Sequence, residues 1–427
     1  MTTRPTNSDS IDALVGDAVF GVTDTVKGNA RQAIKETALS RGIVPSSIIG
    51  LYEAAGKGFY SNITVPAINI RGLTYHVAKA VFRAAMKNNA GAIIFEIARS
   101  EIGYTGQRPA EYAACVLAAS IKEGFQGPVF LQGDHYQVNR GRYNTTPEEE
   151  LKAIEALIRE SVEASFYNID IDASTIVDID KKSLEEQQEK NCQVTAHMTR
   201  FIRSIEPRGT AVSVGGEIGE VGKRNSTPDD LRAFMAGFST RLGADMKGIS
   251  KISVQTGTTH GGVVLPNGSI AQVEVDFKTL AELSRVAREE FGLGGAVQHG
   301  ASTLPDEAFD MFPKANTAEI HLATGFQNII YDSQYFPADL LAELYGYLRE
   351  KHSDERESGE TDEQFYYKTR KRALGPFKKQ LWGLPQETIN GIMAELEERF
   401  SLLFHKLNVV GTAGLVNKYI AMPTMQR

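Results

Sequence analysis

The sequence predicts an α/β chain built as a (β/α)8 TIM barrel, with an N-terminal helical lead-in and a C-terminal helical extension. Two observations carry this. Eight short, β-rich apolar runs alternate with long amphipathic stretches, which is the pattern of a parallel sheet covered by helices. Residues capable of chemistry also recur at the carboxyl ends of those runs, where a barrel builds its site.

The runs are VPAINI (65–70), AIIFEIA (92–98), PVFLQGD (128–134), SFYNIDID (165–172), AVSVGGEIG (211–219), ISVQTGTTHG (252–261), GAVQHG (295–300) and TAEIHLATG (317–325). Helix-like segments between them include TYHVAKAVFRAAMKNN (74–89), PEEELKAIEALIRESVEA (147–164), TPDDLRAFMAGFSTRLG (227–243) and TLAELSRVAREEFGL (279–293). Residues 1–60 read as the lead-in, 61–326 as the barrel and catalytic domain, and 327–427 as an extension of the same domain that also contributes to an oligomer interface. The charged stretch EKHSDERESGETDEQ (350–364) reads as a loop. A doubly wound open sheet is the alternative architecture.

Composition bounds the function. With 427 residues, 42% of them hydrophobic, the chain buries a large core without disulfides. A formal charge of −7 argues against a general nucleic-acid surface. No run reaches the roughly 18 apolar residues of a membrane span, and the N-terminus lacks a signal-peptide pattern. Two cysteines, Cys115 and Cys192, lie far apart without metal-ligand spacing, which fits a reducing compartment and predicts a cytoplasmic protein.

The polar strand ends define the candidate site. The third strand ends in Asp134 and His135, the fourth in Asp172 and the fifth in Glu217. The sixth ends in His260, the seventh in His299, and the eighth carries His321. Four of the eight histidines therefore fall at one rim, while His76, His197, His352 and His405 read as packing or surface residues. Three converging imidazoles suit Zn²⁺ and leave a coordination position open. His135, His260 and His299 are the natural trio, with Asp134 either orienting a ligand or acting as a general acid. Glycines follow two of these histidines, at His260-Gly261-Gly262 and His299-Gly300-Ala301-Ser302-Thr303. Backbone amides at such strand-to-helix turns hold phosphate, so the substrate is expected to be phosphorylated.

DH at 134–135, GGEIG at 215–219, TTHGG at 258–262 and QHGAS at 298–302 occur in the order found in class II fructose-bisphosphate aldolases. VPAINIRGLT (65–74), IDAS (171–174) and HLAT (321–324) resemble the family's first, fourth and eighth strands. The resemblance implies that Zn²⁺ on His135, His260 and His299 polarises the carbonyl of dihydroxyacetone phosphate and stabilises its enediolate. It implies that Asp134 exchanges a proton with the aldehyde oxygen, that Glu217 approaches the metal, and that Asp172 lies near a second cation position. Gly261, Gly300, Ser302 and Thr324 would hold the ketone-side phosphate with a monovalent cation beside them, and Asn69 would face the substrate. The expected substrate is a sugar bisphosphate, fructose 1,6-bisphosphate before its tagatose epimer, and the expected assembly a homodimer or homotetramer.

The chain departs from the family pattern at two points. His321 stands where the family carries Asn, so a phosphate contact is altered or a further ligand is offered. The loop EVGKRNST (220–227) contains a single acid, Glu220, as candidate for the proton-abstracting residue. For the second phosphate, KTRKRALGPFKK (368–379) offers Arg370, Lys371 and Arg372. A class I aldolase would need a Schiff-base lysine, and the nearest, Lys251, is at the wrong end of its strand. GYTGQRPAEY (103–112) resembles non-catalytic barrel companions of tagatose-bisphosphate aldolases, but TTHGG and QHGAS favour an enzyme.

Overall fold

The structure, a computed structural model, describes residues 8–219, 224–257, 265–266 and 274–420. The described residues contain nine strands in chain order: β1 (Ile43–Pro45), β2 (Val65–Asn69), β3 (Ile94–Ala98), β4 (Gly127–Gln137), β5 (Asn168–Asp172), β6 (Ser213–Glu217), β7 (Lys251–Val254), β8 (Ala296–Gln298) and β9 (Glu319–Leu322). Strands β2 to β9 pair in parallel with their sequence neighbours, and β9 returns to β2 through Ala67 opposite His321, closing an eight-stranded (β/α)8 TIM barrel. The short β1 pairs with the start of β4, Ile43 opposite Gly127, outside the ring. All strands are parallel, which demands a crossover on the outside of the ring between each consecutive pair.

Local chemistry explains where the covering helices start. Thr227 accepts a hydrogen bond from the Asp230 amide while Asp230 reaches back to Thr227, and Pro228 begins the helix Pro228–Leu242. Ser183 and Glu186 form the same reciprocal cap on the helix Leu184–Ile205. Ala30, Ile34 and Ala38, four residues apart, give the lead-in helix Asp24–Ser40 its buried stripe. That helix and Ser8–Phe20 pack against Pro109–Glu123, on the outside of the barrel. From the C-terminal extension, the helix Gln386–Lys406 lies against Thr74–Lys87. Thr412 accepts hydrogen bonds from the amides of Gly91 and Ala92. The lone Trp382 packs between Phe20, Tyr75 and His76. None of the described helices is long and apolar enough to cross a membrane.

The charged stretch 350–364 is more structured than its composition predicts. It contains short helical turns held by Arg372–Glu355, Lys368–Glu360 and Arg356–Asp362 pairs. Opposite charges six to seventeen residues apart neutralise one another once the chain folds back, a detail that overall charge density hides.

Candidate active site

At the carboxyl end of the barrel a cavity of about 630 Å³ is lined by Asn69, Arg71, Glu96, Asp134, His135, His299, Gly300, Ser302, His321, Thr324 and Lys371, among others. Its floor depends on a bulge in β4. Successive strand residues normally point to opposite faces. Here the pairing with β5 slips between Gly133 and Tyr136, and His135 takes a left-handed backbone (φ 41°). Asp134 and His135, adjacent in sequence, therefore both face the cavity. Gly133 permits the bulge, since a Cβ there would lie 2.4 Å from the Tyr136 ring.

Around the bulge the imidazoles converge. The His135 and His299 rings are 4.1 Å apart between centroids, as are those of His299 and His321. Asp134 Oδ1 lies among them, 3.2 Å from His321 Nδ1, 3.6 Å from His299 Nε2 and 3.8 Å from His135 Nε2. Asp172, at the end of β5, lies 3.0 Å from His135 Nδ1 and accepts hydrogen bonds from Gln137 and Ser174. Glu217, at the end of β6, approaches the same Nδ1 to 3.4 Å.

Burial and neighbouring charge set the protonation states. Burial would raise the Asp134 carboxyl, but His135 and His321 pull it well below the usual carboxylate range. Burial would depress His135 and His321, but Asp134 with Glu217, and Glu96 with Asp134, lift them well above the ordinary imidazole value. His299 is driven well below it by burial and by the other two rings. Glu217 is pushed up to about 7 by burial and by Asp172, while hydrogen bonding from His135 outweighs burial and brings Asp172 down to about 2. A metal fits this donor set. Ligand atoms of Asp134, His135 and His299 lie within 4.8 Å of one another, as do those of His135, Asp172 and Glu217. The third expected imidazole, His260, lies outside the described residues, as do Gly261 and Glu220.

The remaining expected residues divide. Asn69 lines the cavity and donates to Glu101 (2.6 Å). Gly300 takes a left-handed φ of 69° beside His299, a conformation that suits glycine. Ser302 accepts a hydrogen bond from the Ala323 amide (2.7 Å), and Thr324 opens the helix that follows β9. Arg370 and Arg372 do not line the cavity. Arg370 is buried against Tyr331 and Tyr367 and bound to Asp332 (2.6 Å) and Asn328, and Arg372 pairs with Glu355 over the Tyr104 ring. Between them, Lys371 does reach the wall. The short helical turn Arg370–Ala373 aims neighbouring side chains in different directions, which a basic tripeptide read linearly cannot reveal.

Sequence reasoning missed Arg71 and the charged layer beneath the histidines. Arg71 pairs with Glu101 (2.6 Å) and reaches Thr324 and Gln327 (both 3.3 Å). Below, Lys251 extends from the start of β7 into the barrel and contacts Glu319 (2.5 Å), Gln132 (2.8 Å) and Asp170 (2.9 Å). Tyr52 donates to Glu319 as well. Gly215 leaves the room Asp170 needs, because a Cβ there would sit 2.2 Å from Asp170 Oδ1. The signal was present: IFEIA, LQGD, NIDID, KISV and EIHL each set a polar residue inside an apolar strand.

A family profile described as fructose-bisphosphate aldolase class-II matches residues 51–380. No curated protein sequence matches the chain. Among solved structures, the fructose-bisphosphate aldolase of Campylobacter jejuni is 17% identical, with a TM-score of 0.51 over 87% of this chain and 97% of that one. The YdjI aldolase of Escherichia coli K12 is 14% identical, with a TM-score of 0.52 over 86% and 99%. The fructuronate-tagaturonate epimerase UxaE of Cohnella laeviribosi is 13% identical, with a TM-score of 0.59 over 82% of each chain. These distant likenesses speak to the fold alone. The profile spans most of the sequence, including the strands that carry Asp134, His135 and His299, and the chain belongs to the class-II fructose-bisphosphate aldolase family.

Proposed function

We propose that the protein is a metal-dependent aldolase that reversibly cleaves fructose 1,6-bisphosphate to dihydroxyacetone phosphate and glyceraldehyde 3-phosphate. The observation that carries the reading is the placement of Asp134 between His135 and His299 at the barrel mouth, in a cavity that also presents Arg71 and Lys371. A divalent ion such as Zn²⁺, held by His135, His299 and the expected His260, supplies polarisation of the ketone carbonyl.

The chain's own residues do the rest. Asp134, kept ionised by its imidazole neighbours, takes the proton of the C4 hydroxyl as the C3–C4 bond breaks. The bonding electron pair passes toward the C2 carbonyl, the aldehyde half leaves, and the ketone half receives a proton at C3. Glu220 is the acid in the expected position for that last transfer. In the condensation direction Asp134 returns its proton to the aldehyde oxygen. Ser302 and Thr324 hold the ketone-side phosphate, and Lys371 with Arg71 meets the other; of the three basic residues the sequence offered for that role, Lys371 is the one that lines the cavity.

The test is cleavage of fructose and tagatose 1,6-bisphosphates by the purified chain, before and after chelation and after Zn²⁺ is restored. Faster fructose bisphosphate turnover that chelator abolishes and zinc restores supports the reading. A preference for the tagatose epimer changes the substrate and keeps the chemistry. Turnover of neither, with metal bound, overturns the reading.

A further inference from the structure

We propose that Glu96, Asp134 and His321 form a second divalent-metal site, beside the one expected on His135, His260 and His299, with Asp134 shared between the two.

The argument begins with charge. Glu96, Asp134, Asp170, Asp172 and Glu319 are each at most 6% exposed, and Glu217 is half-buried beside them. Among the described residues Lys251 is the lysine that enters this chamber, and its ammonium is committed to Asp170 and Glu319. Carboxylates removed from water need compensation by a partner, a proton or a metal. One divalent ion on the histidine trio leaves a surplus of negative charge. Three imidazoles this close together cannot all be cationic to offset it.

His321 marks where the second ion belongs. The ring is 5% exposed, and neither nitrogen makes a hydrogen bond. Yet Nδ1 lies 3.0 Å from Glu96 Oε2 and 3.2 Å from Asp134 Oδ1, too close to be indifferent and off the direction a hydrogen bond requires. Glu96 Oε1 and Asp134 Oδ1 are also buried without hydrogen bonds. Ligand atoms of the three residues lie within 4.8 Å of one another. A single proton on Nδ1 lines up with neither carboxylate, whereas a cation in its place would satisfy the nitrogen and both oxygens at once.

The opposite edge of the ring decides between two possible positions. His321 Nε2 faces Glu319 Oε1 (2.8 Å) and Asp170 Oδ2 (3.8 Å), the carboxylates that Lys251 already neutralises. A metal there would sit against an ammonium. On the Nδ1 side no lysine or arginine intervenes among the described residues, and Glu319 backs the ring as a carboxylate typically backs a ligating histidine. Gln132 donates to Glu96 Oε2 (2.9 Å) and orients that carboxylate. One imidazole with two carboxylates suits Zn²⁺ or Mn²⁺. Asp134 Oδ1 approaches both His299 and His321, the placement of a carboxylate that bridges through one oxygen and keeps Oδ2 for proton transfer. Metals in two-metal sites lie roughly 3.5–4 Å apart. Glu96, Asp134 and His321 all line the cavity, so the second ion would be open to a substrate oxygen.

This proposal does not depend on which ketose phosphate is cleaved, and its test counts ions rather than turnover. The full chain is stripped with chelator, reloaded with Zn²⁺ or Mn²⁺, desalted and analysed for metal per chain. Two ions are expected in the wild type and one in Glu96→Gln and in His321→Asn. Mn²⁺-loaded wild type should give the electron paramagnetic resonance signal of a coupled pair, and either variant an isolated-ion signal. A single ion in the wild type, or two that persist in both variants, overturns the proposal. Should the variants fail to fold or lose both ions, Glu217→Gln decides: a coupled pair that survives it supports this site, and one that it abolishes belongs to the His135–Asp172–Glu217 cluster and overturns the proposal. Two ions with no aldolase turnover would leave this site standing and overturn the functional reading instead.

Discussion

Asp134 Oδ1 lies 3.2 Å from His321 Nδ1, so the carboxylate expected to move a proton is in contact with a buried imidazole. His135 and, through this contact, His321 hold Asp134 in its charged form. Asp134→Asn keeps the size and loses the basicity. Removing a general acid–base group typically lowers the rate by roughly 100- to 10,000-fold. We expect a fall in kcat of that order with KM changed far less, measured in a coupled assay on fructose 1,6-bisphosphate. Unchanged kcat would assign the proton transfer to another group.

Lys371 and Arg370 are adjacent and should fail in opposite ways. Lys371 reaches the cavity wall, and burial with the nearby Arg71 pulls its ammonium below the ordinary lysine value. A half-buried cation is poised for an anionic ligand, and the described residues give its ammonium no hydrogen bond or ion pair. Losing a hydrogen bond to a charged group costs about 1.5–3 kcal/mol, so Lys371→Met should raise KM roughly 10- to 100-fold with little change in melting temperature. Arg370 is enclosed by Tyr331, Tyr367, Asp332 and Asn328. Arg370→Met should lower the melting temperature and leave KM near wild type. Steady-state kinetics and thermal denaturation of the two variants separate these outcomes.

Much of this was legible in the sequence. Near-continuous apolar runs located all eight barrel strands, because a parallel barrel buries its strands on both faces. The polar residues gathered at the carboxyl end of the barrel were legible for the same reason: Asp134, His135, Asp172, Glu217 and His299 each end an apolar run. Two features were not. The bulge that turns both Asp134 and His135 inward depends on backbone geometry at His135, which residue type does not announce. The Lys251–Asp170–Glu319 layer joins residues from three strands, so its charge balance exists only after the barrel closes. Lys251 looked misplaced because it begins its strand, but a long side chain carries its ammonium several ångströms beyond the backbone.

That buried layer makes a stability prediction. Lys251 is 1% exposed, and its ammonium contacts Asp170 and Glu319 at 2.9 and 2.5 Å. Burial would lower its pKa, but the two carboxylates raise it, so it remains charged. Lys251→Met strands two buried carboxylates. Breaking a buried ion pair from one side typically costs about 3–5 kcal/mol. We expect a loss of that size by chemical denaturation, partly recovered when Glu319→Gln is added. A loss below about 1 kcal/mol would mean that water or a cation replaces the ammonium.

His76 supplies a pH dependence independent of the active site. Its ring packs against Trp382 and Tyr75, each 5.4 Å away, with Nδ1 buried and unbonded. Burial, reinforced by Lys79, pushes the imidazole down to about 3 from the ordinary value near 6.5. The folded state therefore resists a proton that the unfolded chain accepts. The stability from keeping His76 neutral is fully present above about pH 6.5, declines below it, and is lost as pH falls toward 3. Other groups titrate in the same range, so the informative quantity is a difference between variants. His76→Gln removes the titration while keeping a polar side chain of similar reach. Between pH 7.5 and 5 the wild type should lose roughly 1–2 kcal/mol more stability than His76→Gln, read from denaturant midpoints at each pH. Parallel curves for the two proteins would show that His76 accepts its proton without unfolding, with the ring leaving Trp382 for solvent.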